Sequence, residues 1–146
     1  MTIEEIHILS HSQLQDLHAL MLELDPEIEV TDEMLLTAAA APGTHLFLAS
    51  DDNGMVVGCA SLSVFDSPTG RKASIEDVVV GSQWRGLHIG RQLMEHILDY
   101  ARRELGDVDI HLSSRPARTA ANELYKTLGF KQRETNFYRL QIRSLK

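Results

Sequence analysis

The sequence predicts a mixed α/β (α+β) chain with a largely antiparallel sheet, and three observations predict it. Short β-branched runs are interspersed with amphipathic stretches at helical spacing. Asn53-Gly54, in the link Asp51–Gly54 between two apolar runs, is a strong hairpin signal because both residues tolerate positive φ. A glycine-containing loop, Gln83–Gly90, separates the run Ile75–Val80 from the longest amphipathic stretch. The order read along the chain is β-α-α-β-β-β-α-β-α-β-β, with six to seven strands and about four helices.

The elements follow in order. Ile3–Leu9 alternates well enough for a first strand. Ser10 or Ser12 can cap a helix carrying Leu14, Leu17, Leu20, Met21 and Leu24, which Pro26 closes. Thr31 starts a short helix through Met34, Leu35 and Ala38, ended by Pro42-Gly43. His45–Ser50 and Met55–Phe65 flank the Asp51–Gly54 turn, and Asp66–Arg71 leads into Lys72–Val80. Leu93, Met94, Ile97, Leu98, Ala101 and Leu105 mark an amphipathic helix ending at Gly106. Val108–Ser113 reads as a strand, Ala117–Leu128 as a helix with Gly129 past its end, and Phe130–Gln132 and Phe137–Ile142 as the last strands.

Length and composition bound the rest. A chain of 146 residues is expected to form one domain over residues 1–146. The net charge of −7 opposes non-specific nucleic-acid binding, which needs a basic footprint. The N-terminus carries acids where a signal peptide carries bases, and no apolar run approaches the ~18 residues that span a bilayer. With Cys59 the only cysteine and the histidines scattered, no metal site is expected. The expected location is the cytoplasm, with no membrane partner.

The loop carries the chemistry. A helix N-terminus presents amides without intrahelical acceptors, and glycines let an anion approach them. Gly86 and Gly90 lie in such a loop, flanked by Arg85 and Arg91, which complement a diphosphate. Gly-x-x-x-Gly alone fits an ordinary strand-to-helix turn nearly as well. Farther on, Arg118, Asn122 and Tyr125 recur at i, i+4 and i+7, a polar stripe that fits a functional face or a solvated one.

Val80–Gly90 resembles motif A of the GNAT family of N-acetyltransferases, Gln/Arg-x-x-Gly-x-Gly/Ala after a strand ending in Val. Arg85 takes its first place and Gly90 its last, while His88 stands where glycine is usual and Ser82 where proline is common. Ala121–Phe130 is similar to the family's Asn-x-x-Ala-x-x-Leu-Tyr-x-x-x-Gly-Phe, matching at Leu124, Tyr125, Gly129 and Phe130. The family's Asn, which contacts the cofactor, falls at Arg118, and Asn122, one turn ahead of Tyr125, is the candidate for an equivalent cofactor-binding amide.

The resemblance implies the GNAT fold from about Ile3 onward and acetyl-CoA as acyl donor. Its pantetheine arm would run along Val78, Val79 and Val80, pairing with the main chain at Val78 and Val80. Its diphosphate would sit on Arg85, Gly86, Leu87, His88, Ile89, Gly90 and Arg91. The resemblance also implies a β-bulge and a splay between Asp77–Val80 and Val108–Ser113, with Tyr125 as general acid.

Acyl transfer to nitrogen needs a neutral amine, an oxyanion stabiliser and a proton for the leaving thiolate. A phenol near pKa 10 protonates a thiolate near 8.5 at a cost of roughly 2 kcal/mol. Moving a proton from an alkylammonium to an ordinary carboxylate costs roughly 8 kcal/mol, so a base must be tuned or work through water. Glu76 is the candidate base, read as sharing a strand face with Val78 and Val80; the alternative is an exposed strand-end carboxylate. The expected reaction is acetyl transfer to a primary amine of a small molecule. The acidic stretch Asp25–Glu33 is compatible with a cationic acceptor. The rivals are acetylation of a peptide N-terminus or lysine, and a non-catalytic acyl-CoA-binding module. A homodimer through Phe137–Ile142 is also expected from the resemblance.

Overall fold

The computed structural model describes residues 1–145. Its elements are β1 (Thr2–Ile6), α1 (His11–Leu24), α2 (Asp32–Ala40), β2 (Thr44–Ser50), β3 (Val56–Ser67), β4 (Gly70–Val80), a 3₁₀ turn (Ser82–Trp84), α3 (Ile89–Glu104), β5 (Asp109–His111) and α4 (Thr119–Thr127). Met1–Ser113 forms one compact unit, and the residues from Ser114 on form a second. Among the described residues no helix is long and apolar enough to cross a membrane.

In the first unit, local chemistry sets the helix ends. Ser10 caps α1 in a full capping box: its hydroxyl accepts from Gln13 N, and the Gln13 side chain accepts from Ser10 N. Thr31 caps α2 by accepting from Met34 N. In the β2–β3 hairpin, the Asp51 carboxylate accepts from Asn53 N and Met55 N, and Gly54 takes the positive φ that the turn requires.

Five strands lie in the order β1-β2-β3-β4-β5, antiparallel except for the parallel pair β4–β5. On one face, Leu17, Leu20 and Met21 of α1 and Leu35 and Ala39 of α2 cluster with Leu46, Leu48, Cys59 and Val79 of the sheet. α3 supplies Ile89, Leu93, Met94, Ile97 and Ala101 as its own buried stripe. Burying each large side chain contributes about 1.5–3 kcal/mol relative to exposure. Gly58 lets α3 come close: a Cβ there would meet Val79 O at 3.2 Å, Leu93 Cδ1 at 3.3 Å and Ile89 Cγ2 at 3.4 Å.

The mixed, mostly antiparallel class agrees with the sequence, but the described residues hold five strands rather than six to seven. Phe130–Gln132 and Phe137–Ile142 are not strands. Phe137, Tyr138, Leu140 and Ile142 are each at least 79% exposed, so among the described residues this alternating run forms no ladder and buries no apolar face. Val108–Ser113 shrinks to Asp109–His111 for a related reason: the β4–β5 ladder ends at Ser74 opposite His111.

In the second unit, α4 ends in a Schellman motif. Gly129, at φ 100°, donates from its N–H to Lys126 O, and Phe130 N–H donates to Tyr125 O. The ring of Phe130 meets that of Tyr125 edge-on, with centroids 6.1 Å apart. The sequence Leu124-Tyr125…Gly129-Phe130 is thus a helix stop that holds the tyrosine by both its carbonyl and its ring.

Candidate functional site

Most predicted site residues fall on one continuous segment, Glu76–Arg91, at the end of β4 and the start of α3. Its first feature is a bulge. Ser61 opposes Glu76 and Cys59 opposes Val79, so three steps on β4 face two on β3. Asp77 takes up the extra residue at φ 55°. Beyond Ser74 the strand has lost β5, so among the described residues Ile75–Val80 pairs only with β3. The bulge implied by the resemblance is present, and the β4–β5 ladder stops at Ser74 opposite His111.

The bulge corrects one expectation. Residues opposite one another share a face, and Glu76 opposes Ser61 while Val80 opposes Gly58. Ser61 and Gly58 are three apart on a regular strand, so Glu76 and Val80 lie on opposite faces. Two-residue alternation fails once a residue is inserted. Glu76 is exposed and accepts a 2.7 Å hydrogen bond from the Ser74 hydroxyl. Val79 is buried in the core, whereas Val78 and Val80 are half-buried.

From the sequence Asp77 reads as pointing away from Glu76, a structural hydrogen-bonding residue and not a base. Burial pushes its carboxyl above the usual range, and the neighbouring Glu76 charge adds to the effect. Cys59 donates to Asp77 O at 3.7 Å, and burial followed by the Asp77 charge pushes its thiol up to about 12. At pH 8 such a thiol holds over about a thousandfold less thiolate than a free one. Cys59 of the folded protein should therefore resist a disulfide reagent that labels it promptly in denaturant. Fast labelling under native conditions would contradict the buried placement.

The loop follows. Gly81 N–H donates to Val57 O at 2.8 Å, Trp84 N–H closes the 3₁₀ turn on Gly81 O, and Arg85 Nε reaches back to Val80 O at 3.3 Å. Gly86 has φ 81°, and a Cβ there would meet nothing within 4 Å. Leu87 and His88 are exposed, and Ile89 turns its side chain into the core, leaving its main chain to the loop. Gln92 N–H makes the bond to His88 O, so the amides of Ile89 and Gly90 precede the helix ladder. The first turn of α3 contains no acidic residue, and Arg91 pairs with Glu95 at 3.2 Å. The result is an open glycine corner beside helix-end amides and two arginines, a donor set that fits a diphosphate.

His88 caps α3 in the left-handed region, φ 63° and ψ 21°, and makes no capping bond through its side chain. Positive φ at this place explains why the resembling motif favours glycine there. Left-handed backbone costs a residue with a Cβ about 1–2 kcal/mol, partly offset by glycine's larger unfolded-state entropy. His88→Gly should thus stabilise the protein by about 0.5–1 kcal/mol, read as a higher midpoint in urea. A lower midpoint would mean that the imidazole makes a stabilising contact.

Asn122 and Tyr125 lie on α4, in the second unit. Asn122 Nδ2 donates to Arg115 O at 3.0 Å, tying down the loop before the helix. Tyr125 is half-buried; burial raises its phenol above the ordinary value, and Arg118 opposes this weakly.

The family model for the Acetyltransferase (GNAT) family matches residues 11–130, running through both units. The chain is 30% identical over 115 residues to N-alpha-acetyltransferase RimI of Mycobacterium tuberculosis, covering 75% of this chain and 70% of that protein. A putative acetyltransferase from Agrobacterium tumefaciens superposes with a TM-score of 0.81 at 26% identity, covering 97% of this chain and 100% of that one. Glucosamine-6-phosphate N-acetyltransferase from Arabidopsis thaliana shares the fold, with a TM-score of 0.73 at 18% identity over 96% of this chain and 99% of that one. The chain belongs to the GNAT family and is an acyl-CoA-dependent acetyltransferase.

Proposed function

We propose that the chain, acting as one domain in the cytoplasm, transfers an acetyl group from acetyl-CoA to a primary amine of a small molecule. The observation that carries the donor half is the loop Arg85–Arg91: a positive-φ glycine corner, helix-end amides and two arginines in sequence. The diphosphate rests there, and the pantetheine runs along the edge of Val78–Val80 that β5 leaves unpaired. The thioester is attacked directly by the amine, and the Tyr125 hydroxyl protonates the departing sulfur. Asn122 holds the loop that leads into the Tyr125 helix.

The base comes from the bulge. Glu76 remains the first candidate, held by Ser74. Asp77 joins it, because a carboxyl raised by burial narrows the gap to an alkylammonium. Glu76→Gln and Asp77→Asn, compared by the pH dependence of kcat/KM, identify which one supplies the acidic limb.

For the acceptor, the first unit offers a pocket of about 300 Å³ between α1 and the segment before α2. Met21, Leu22, Ile28 and Val30 form its apolar wall, with His18 and Glu29 as polar groups. That volume is at the low end of small-molecule sites. The second reading is the α-amine of a peptide, favoured by the 30% identity to a protein named as an N-alpha-acetyltransferase. Thiol release measured with free amines and with short peptides separates the two. Turnover confined to peptides would replace the first reading by the second, and turnover with neither would overturn both.

A further inference from the structure

The mechanism leaves unused two carboxylates on α1. Asp16 and Glu23 are seven residues apart, on one side of the helix, with the buried Leu20 between them. Each accepts a main-chain N–H from outside the helix: Asp16 Oδ2 from Val56 N at 3.0 Å, and Glu23 Oε1 from Ser82 N at 2.9 Å. The first bond fastens the start of β3. The second fastens the first residue of the 3₁₀ turn that leads into Arg85–Gly90.

Ser82 is the natural weak point of that segment. The turn has no side-chain cap of its own, and Gly81 ahead of it contributes no side chain. A Cβ on Gly81 would lie 3.4 Å from Trp84 Cδ1, 3.4 Å from Val57 O and 3.6 Å from Glu23 Oε2. These are ordinary van der Waals distances, so the Glu23 carboxylate packs beside the turn at Gly81. With Gly81 N bonded to Val57 O, Ser82 N to Glu23 and Trp84 N to Gly81 O, the approach to the loop is held at three amides. Two of these bonds are main chain to main chain. The Glu23 bond is the one a substitution can remove.

We infer that Glu23 is a positioning residue for the cofactor loop: its carboxylate ties α1 to Ser82 and preorganises the amides that meet the diphosphate. This rests on the donor half of the proposed function. The carboxylate acts as a hydrogen-bond acceptor. Its charge is a liability beside a diphosphate, so a neutral acceptor of the same shape should serve at least as well.

The test compares Glu23→Ala and Glu23→Gln by three measurements. Amide hydrogen exchange at Ser82, recorded without ligand, reads the tether itself and is independent of any activity. Glu23→Ala should speed it, and Glu23→Gln should leave it near the wild-type rate. The dissociation constant for CoA should rise about fivefold in Glu23→Ala, the loss of one ordinary hydrogen bond's worth of preorganisation, and stay within about twofold in Glu23→Gln. In steady state KM for acetyl-CoA should rise, with kcat and KM for the amine unchanged. A mere folding defect would instead lower the active fraction, reducing kcat at constant KM. Unchanged CoA affinity in Glu23→Ala, or Glu23→Gln as weak as Glu23→Ala, would overturn the inference. Wild-type protein that binds no CoA would overturn the donor reading itself, and the Ser82 exchange rates would still report whether the tether exists.

Discussion

Tyr125→Phe should lower kcat by about 100-fold, the lower end of what a positioned general acid contributes, while CoA affinity stays within about twofold. The substitution removes one hydroxyl and keeps the ring, so the edge contact with Phe130 and the Schellman bonds of Gly129 and Phe130 remain. The pH dependence adds a second check. Burial favours the neutral phenol, so Tyr125 keeps its proton to a higher pH than free tyrosine does. Wild-type kcat should then fall, as the acid form is lost, only at a pH above that at which free tyrosine ionises. In Tyr125→Phe that alkaline limb should be absent. Steady-state rates across pH, with CoA affinity measured calorimetrically, decide the matter. A phenylalanine variant within about threefold of wild-type kcat would remove Tyr125 from the acid role.

That role has a cost which the structure makes larger. Protonating a thiolate near 8.5 from a phenol near 10 is already uphill by roughly 2 kcal/mol, and burial moves the phenol further away. A raised acid remains useful if proton transfer follows the breaking of the carbon–sulfur bond, when the thiolate is fully formed and most basic. On this account the oxyanion and the positioning of the thioester carry more of the rate acceleration, and the acid mainly captures the product. The predicted loss for Tyr125→Phe therefore sits at the lower end of the general-acid range.

Local chemistry was legible in the sequence, and non-local geometry was not. Ser10 and Thr31 cap their helices and the Asn53-Gly54 hairpin forms, with Gly54 alone at positive φ, because caps and tight turns are decided within four residues. The start of α3 at Ile89 and the stop at Gly129 were legible for the same reason. The bulge was not readable from spacing, since Ile75–Val80 contains the same residues whether or not one of them is unpaired. It came only through the resemblance, and without its register Glu76 was placed on the wrong face. Phe137–Ile142 alternates like a strand, yet pairing depends on a partner that alternation cannot supply. Glu23 carries no pattern at all: an exposed acid near a helix end is ordinary, and only its contact with Ser82, 59 residues away, sets it apart.

Gly90→Leu separates cofactor binding from stability most sharply. Gly90 is the second residue of α3, half-buried, with its amide ahead of the first helical bond. Leucine is the better helix former by up to about 0.7 kcal/mol, so the variant should be at least as stable toward urea as the wild type. Leucine there should crowd a diphosphate held on the Ile89 and Gly90 amides. Losing even one charge-assisted amide–phosphate bond costs about 1.5–3 kcal/mol, which corresponds to a CoA affinity weaker by about 10- to 150-fold. Titration calorimetry and urea unfolding on the same preparation should therefore move in opposite directions. Wild-type CoA affinity in Gly90→Leu would place the diphosphate elsewhere than on the N-terminus of α3. A parallel fall in stability and affinity would show instead that Gly90 serves the packing of α3, and that the loop's fitness for an anion follows from the fold without depending on that one glycine.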